Sequence, residues 1–71
     1  MVIAMIKPKF NRDDKVMVKG MPKPLTVYRP MIIPVPKVVN GQFLLVDEVM
    51  YKFKVGNNDY RYAYEADVDA L

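Results

Sequence analysis

The sequence contains no cysteine, histidine, tryptophan or serine, and Thr26 carries its only hydroxyl group apart from those of five tyrosines. These absences exclude disulfides, zinc-finger sites and nucleophiles activated by histidine. The three glycines are too scattered to form a phosphate-binding loop. The carboxylates lack the spacing of a calcium-binding loop. We therefore expect a protein that is not an enzyme and that holds neither metal nor cofactor.

Long hydrophobic runs are also missing. The longest, residues 1–6, is far shorter than the roughly 20 residues that cross a bilayer. It also lacks the basic region and cleavage site of a secretory signal. We therefore expect a cytoplasmic protein without a membrane partner. At 71 residues, of which 52% are apolar and 27% charged, the composition is typical of one small globular domain.

Charge is distributed unevenly along the chain. Residues 1–42 carry eight basic and two acidic side chains, whereas residues 43–71 carry three basic and six acidic ones. The overall charge of +3 is small for a dedicated nucleic-acid-binding protein. This pattern is compatible with a basic patch. It is also compatible with lysines on exposed strand edges, where they prevent pairing with other chains.

Alternation of apolar and polar residues predicts short strands rather than helices. These strands are expected at 15–19, from 25, at 38–46, at 49–55 and at 60–64. Asn40-Gly41 between apolar runs is a strong signal for a tight hairpin. Asp47-Glu48 is expected to mark a turn or bulge, and residues 66–71 a single helical turn.

Residues 30–36 hold three prolines among apolar residues. Because proline lacks a backbone N–H, we expect an extended loop here rather than a central strand. A surface loop of this apolar character would either fold down as a lid or meet a partner. On the second interpretation, the protein-binding residues are Tyr28, Pro30, Ile32, Ile33, Pro34 and Tyr51.

Both ends of the sequence resemble SH3-like β-barrels. Phe10, a short spacer and Asp14 precede the Val-rich strand at 15–19, as in the opening of many such barrels, and residues 20–27 are similar to a group of short uncharacterised bacterial proteins. Residues 60–71, an aromatic strand followed by Glu, Asp, Val and Leu, resemble the closing strand and turn. Asp13 stands where glycine is usual, and residues 28–48 fall outside the resemblance.

The resemblance implies an all-β fold, a small antiparallel SH3-like barrel of about five strands with a short C-terminal helical turn. It would span residues 10–71, with residues 1–9 as an N-terminal arm or extra strand. We expect a non-catalytic binding module that contacts another protein, in the manner of a phage or mobile-element accessory protein.

Two alternatives remain open at this stage. The first is nucleic-acid binding, in which a row of tyrosines stacks on bases beside basic side chains. Its residues are Lys15, Lys19, Lys52, Lys54, Arg61 and Tyr62. In this row, Tyr51 would oppose Tyr60, Tyr62 and Tyr64 across the hairpin, and the same four rings would also suit a barrel core. The second alternative is a homo-oligomer in which residues 1–6, through Val2, Ile3, Met5 and Ile6, add a strand to a neighbour's sheet.

Overall fold

A computed structural model describes residues 6–71 and contains five β-strands. They are β1 (Lys15–Val18), β2 (Leu25–Val39), β3 (Gln42–Lys54), β4 (Tyr60–Tyr64) and β5 (Val68–Ala70). A single turn of 3-10 helix, η1 (Glu65–Asp67), precedes β5. The expected all-β class is thereby confirmed, and the short helical turn lies before the last strand rather than at the end of the chain.

The five strands form one open antiparallel sheet in the order β4-β3-β2-β1-β5. β2 connects its two halves, because Leu25 and Thr26 pair with β1 whereas the strand from Val27 onward pairs with β3. β4 and β5 are the two edge strands and do not pair with each other, so the sheet does not close into a barrel.

The core lies where the two halves of the sheet face each other. Its buried side chains are Val16, Val18, Val27, Val49, Tyr51, Phe53 and Val68. Alternation brings them there, since Val16 and Val18 share one face of β1 and Val49, Tyr51 and Phe53 share one face of β3. Both faces follow from the alternation in the sequence, at positions 16 and 18 and at positions 49, 51, 53 and 55, although Val55 is exposed. Tyr51 is the one tyrosine in this core.

The chain before β1 is fastened to the core through Tyr51. Its hydroxyl group donates a hydrogen bond to Glu65 Oε2 at 2.7 Å and accepts one from the Phe10 N–H at 3.1 Å. The Lys9 N–H donates to the same carboxylate oxygen. Burial, and then the hydrogen bond to the Glu65 carboxylate, raise the pKa of Tyr51. The expected boundary between an N-terminal arm and the barrel, at residue 9, therefore lies where the chain is hydrogen-bonded to Tyr51 and Glu65. Residues 1–5 of that arm lie outside the described range.

Residues 33–48 form an extended β-hairpin, which we call the hairpin arm. It contains the outer parts of β2 and β3, joined at Asn40-Gly41. Both turn residues have positive φ, 51° and 77°, as a two-residue type I′ turn requires, so the hairpin expected there is confirmed. No residue of the arm is buried. At about 3.3 Å per residue the arm reaches roughly 20 Å from the core, which agrees with overall dimensions of 40 × 24 × 23 Å.

Two expectations for this region were wrong. The segment 30–36 is not a loop but part of β2, because its prolines lie at positions whose backbone groups point away from β3. Asp47 and Glu48 do not form a turn or bulge; they continue β3 opposite Pro34 and Ile33. Within residues 6–71, the helical content is limited to η1, and no helix is long and apolar enough to cross a membrane.

Candidate functional site

The end of the hairpin arm exposes large apolar side chains. On one face, Phe43 is 80% exposed, Leu45 73% and Val38 63%. This face continues the core face of β3, because Phe43 and Leu45 have the same parity along the strand as the buried Tyr51. We call these three side chains the apolar tip.

The opposite face of the arm end is apolar as well. Val39 and Leu44 are exposed there, and residues 38–46 include no charged side chain. An exposed apolar surface of this kind is typical of sites that bind another protein. On this face the nearest charges belong to Lys37 and Glu48, which form an ion pair across the arm, and on the face of the apolar tip the nearest charge is that of Asp47.

The six residues expected to bind protein do not form one surface. Tyr51 is fully buried, and Ile32 and Pro34 are exposed on the face that carries the apolar tip. Ile33 is half-buried on the opposite face of β2. Pro30 is half-buried opposite Tyr51. Tyr28 points elsewhere, because of an irregularity in β2.

That irregularity is a β-bulge between Val27 and Arg29. It sets Tyr28 and Arg29 against a single residue of β3, Lys52. An unbroken strand would direct Tyr28 to the core side together with Pro30. The bulge instead brings its ring to the outer side of the sheet, beside the tyrosines of β4.

Lys52 is at the centre of the cluster that results. Its Nζ lies 4.2 Å from the centre of the Tyr60 ring, 5.6 Å from that of Tyr28 and 6.0 Å from that of Tyr62. The Arg12 guanidinium lies 5.4 Å from the Tyr28 ring. Each contact is within the range of a cation–π interaction.

Further basic groups surround these contacts. Lys54 lies opposite Tyr60 in the register, and Arg29 opposite Lys52. The whole group, which we call the cation–tyrosine face, consists of Arg12, Tyr28, Arg29, Lys52, Lys54, Tyr60 and Tyr62. Within residues 6–71, none of its four cations is in a salt bridge. The face therefore combines positive charge with aromatic rings.

The structure divides the residues expected to bind nucleic acid. Lys52, Lys54 and Tyr62 belong to the cation–tyrosine face. Arg61 points to the other side of β4 and pairs with Asp59 at 2.6 Å. Lys19 lines, with Arg61, a cavity of about 270 Å³ between β4 and the connection from β1 to β2. Lys15 is exposed on β1 opposite Thr26.

Sequence reasoning missed several members of both surfaces. Tyr60 was expected in the tyrosine row, but Arg12, Tyr28 and Arg29 join the cation–tyrosine face only through the register and the bulge, which no local pattern reveals. The apolar tip had a signal, since residues 38–46 are an uncharged stretch around a predicted turn.

Tyr60, Tyr62 and Tyr64 were expected to face Tyr51 across the hairpin. They lie instead opposite Lys54, Lys52 and Met50, while Tyr51 pairs with Ala63. The tyrosine row is therefore on the outer face of the sheet, where Tyr62 is 54% exposed.

Comparisons with known proteins find no relative of this chain. Neither the family models, nor the curated proteins, nor the solved structures contain a match to the chain. In the part of the chain from residue 6 onward, no three acidic side chains are grouped so that they could hold a metal ion.

Proposed function

We propose that this protein is a non-catalytic binding module that contacts another protein through its hairpin arm. The observation that carries the proposal is the apolar tip, three side chains from 63% to 80% exposed on one face. Leaving this area in water has a free-energy cost that a protein partner would remove. The type I′ turn fixes the register of the hairpin and so orders the tip before binding, which lowers the entropy lost on association.

A site-specific photo-crosslinker tests this proposal directly. The reactive group replaces Phe43 at the tip or, as a control, Asn57 in the exposed loop between β3 and β4. Irradiation of cells that express the protein should give discrete protein adducts from position 43 and few from position 57. Equal labelling from both positions would contradict a binding role for the arm.

We propose in addition that the fold is of the SH3-like type. Three observations support this. β2 is shared between the two halves of the sheet, β5 returns to pair with β1, and η1 comes directly before β5. An experimental structure in solution should keep this strand order. If β5 paired with β4 instead, the proposed fold type would be wrong.

The cation–tyrosine face favours a second candidate function, the binding of single-stranded nucleic acid. The rings of this face, of which Tyr62 is exposed and Tyr28 and Tyr60 are half-buried, can stack on bases, while its cations, which form no salt bridge within residues 6–71, contact phosphates. With three or four phosphate contacts, affinity for an oligonucleotide should fall roughly 20- to 50-fold between 50 and 200 mM salt.

Two single variants make this second test specific. Lys52→Gln should weaken binding and reduce the salt dependence by about one phosphate contact. Lys19→Gln makes the same change in charge at a lysine outside the cation–tyrosine face and should leave both the affinity and its salt dependence unchanged. Identical behaviour of the two variants would mean that only net charge attracts the oligonucleotide.

A further inference from the structure

Among residues 6–71, no strand neighbours one backbone edge of β3 in the hairpin arm, although Ile6 lies near its inner end, beside Asp47 and Val49. β4 pairs with β3 only between Met50 and Lys54. From Gln42 to Val49, β3 therefore has a strand on its β2 side alone. Within the same residues 6–71, the edge of β2 that points away from β3 also lacks a neighbouring strand along the arm, since β1 pairs only with Leu25 and Thr26.

The turn determines which backbone groups point outward along these edges. In a hairpin with a two-residue loop, the pair flanking the loop exchanges hydrogen bonds, and pairs alternate from there. Val39–Gln42 is that flanking pair, so the next pair, Val38–Phe43, directs its backbone N–H and C=O groups outward. Every second pair follows, among them Pro36–Leu45 and Pro34–Asp47.

The two edges consequently differ in what they offer to another strand. On β2, the outward positions include Pro30, Pro34 and Pro36, which have no N–H to donate. On β3, the outward N–H groups of Phe43, Leu45 and Asp47 are all present. The arm is thus blocked along one edge and open to strand addition along the other.

A strand that adds to β3 must suit apolar side chains on both faces and must not place like charges directly opposite each other. β3 itself meets these conditions, because Phe43 and Leu45 lie on one face and Leu44 and Val46 on the other. In an antiparallel arrangement centred on Leu45, Phe43 of each copy lies opposite Asp47 of the other. The two Asp47 carboxylates are then four positions apart along the strands.

We infer that β3 pairs with the same edge of a second copy of this chain and forms a two-fold symmetric dimer. Five residues per copy, 43–47, would exchange about six backbone hydrogen bonds. On the face of the apolar tip, the Leu45 side chains of the two copies would contact each other directly, which removes part of the tip from water. The contact is smaller than a standard interface of about 800 Å² per partner, so a weak dissociation constant, on the order of tens of micromolar, is expected. The inference rests on the proposed function and specifies the partner.

Concentration-dependent amide exchange of the unmodified protein is the first test. Between about 5 µM and about 500 µM, which bracket a constant of tens of micromolar, the Phe43, Leu45 and Asp47 amides should become several-fold slower to exchange. The Leu44 amide, which bonds to β2, should not change. Protection of the outward amides at every concentration would assign the edge to the chain's own residues 1–5 and overturn the inference. Fast exchange of these amides at both concentrations would overturn it as well.

A proline variant tests the same edge by mass. Leu45→Pro removes an outward N–H and leaves the bonds to β2 in place, as Pro36 does across the strand pair. Leu45→Ala shortens the side chain but keeps the N–H. By sedimentation, the wild-type mass should rise from 8.2 kDa towards twice that value. The alanine variant should dimerise more weakly, and the proline variant should stay monomeric. Dimerisation of the proline variant as tight as the wild type would overturn the inference.

The outcomes separate this inference from the function it rests on. A monomer at about 500 µM that still gives foreign protein adducts from position 43 would retain the proposed function and reject the second copy as the partner. A monomer without adducts would reject both. An adduct at twice the chain mass, together with the exchange result, would support both.

Discussion

The two ends of β3 have the same alternating pattern and opposite environments. Phe53 is fully buried and Phe43 is 80% exposed, although both rings lie on the same side of the strand. The difference comes from what lies across from each ring. β1, β5 and the residues before β1 cover the end near Phe53, whereas no described element covers the arm. An amphipathic strand therefore defines a face, and only the tertiary structure decides whether that face becomes core or binding surface.

The paired substitutions Phe53→Ala and Phe43→Ala should produce the largest contrast. Removing the buried ring should lower the free energy of unfolding by about 3–5 kcal/mol, because it leaves a cavity in a small core. Removing the exposed ring should change it by less than about 0.5 kcal/mol. Urea denaturation followed by circular dichroism measures both values.

The same pair of variants can contradict the comparison. If Phe43→Ala destabilised the protein as much as Phe53→Ala, the arm would be covered in solution and the apolar tip would belong to a core. A dimer through β3 gives an intermediate result that depends on concentration. Measurement at about 1 µM, below the expected dissociation constant, removes that contribution.

Tyr51→Phe should give the next largest effect and one that depends on pH. The variant loses a hydrogen bond to a carboxylate and should be about 1.5–3 kcal/mol less stable near pH 7. The folded state raises the pKa of Tyr51, so it favours the neutral phenol. This stabilisation is complete below the unfolded pKa of about 10 and is lost as pH rises through the folded pKa.

The difference in unfolding free energy between wild type and Tyr51→Phe should therefore shrink above about pH 10. Urea denaturation at several pH values measures this difference, and Tyr62→Phe, an exposed ring in β4, is the control. A gap between wild type and Tyr51→Phe that stays constant to high pH would mean that the bond to Glu65 does not form in solution.

The sequence was informative where the pattern is local. Alternation identified the buried faces of β1 and β3, and Asn40-Gly41 identified the turn, because each depends on adjacent residues. The proline segment was misjudged because a strand with a neighbour on one side only can accept proline at every second position. At those positions the backbone N–H would point away from the neighbouring strand, as it does for β2 in the hairpin arm. Pro30, Pro34 and Pro36 occupy the permitted half, and this parity is set by the turn several residues away.

The candidate surfaces were harder to predict for a similar reason. Lys52, Lys54 and Tyr62 were expected on one surface because they alternate along neighbouring strands. Tyr28 lies apart from the other residues expected to bind protein, since the bulge that turns it outward depends on the packing of β2 between two strands. Exposure of the apolar tip depends on the absence of a covering element, which a sequence pattern does not encode.

Gly41→Ala should destabilise the hairpin arm without affecting the core, and its effect on the free energy should be smaller. Gly41 has φ of 77°, a conformation that costs a residue with a side chain about 1–2 kcal/mol. The strain is local to the turn, so we expect faster amide exchange at Leu44 and Val46, with little change at Tyr51. Gly56→Ala is the control, because its φ is not positive and an added Cβ would meet Asp59 Cβ at an ordinary 3.4 Å. Equal effects at both glycines would contradict a special role for the turn.

The smallest effect should come from the ion pair between Lys37 and Glu48, the one salt bridge within the arm among the described residues. Both side chains are partly exposed, at 46% and 28%, so water and salt screen their attraction. A double-mutant cycle with Lys37→Gln and Glu48→Gln, read from exchange of the arm amides, should give a coupling of about 0.5 kcal/mol or less. Added salt at 1 M should abolish it, since the screening length is then about 3 Å. A coupling above about 1 kcal/mol that resists salt would mean that the pair is shielded from water. The arm would then be covered by another molecule or by a second copy, and the contrast between the two ends of β3 would hold only for the isolated chain.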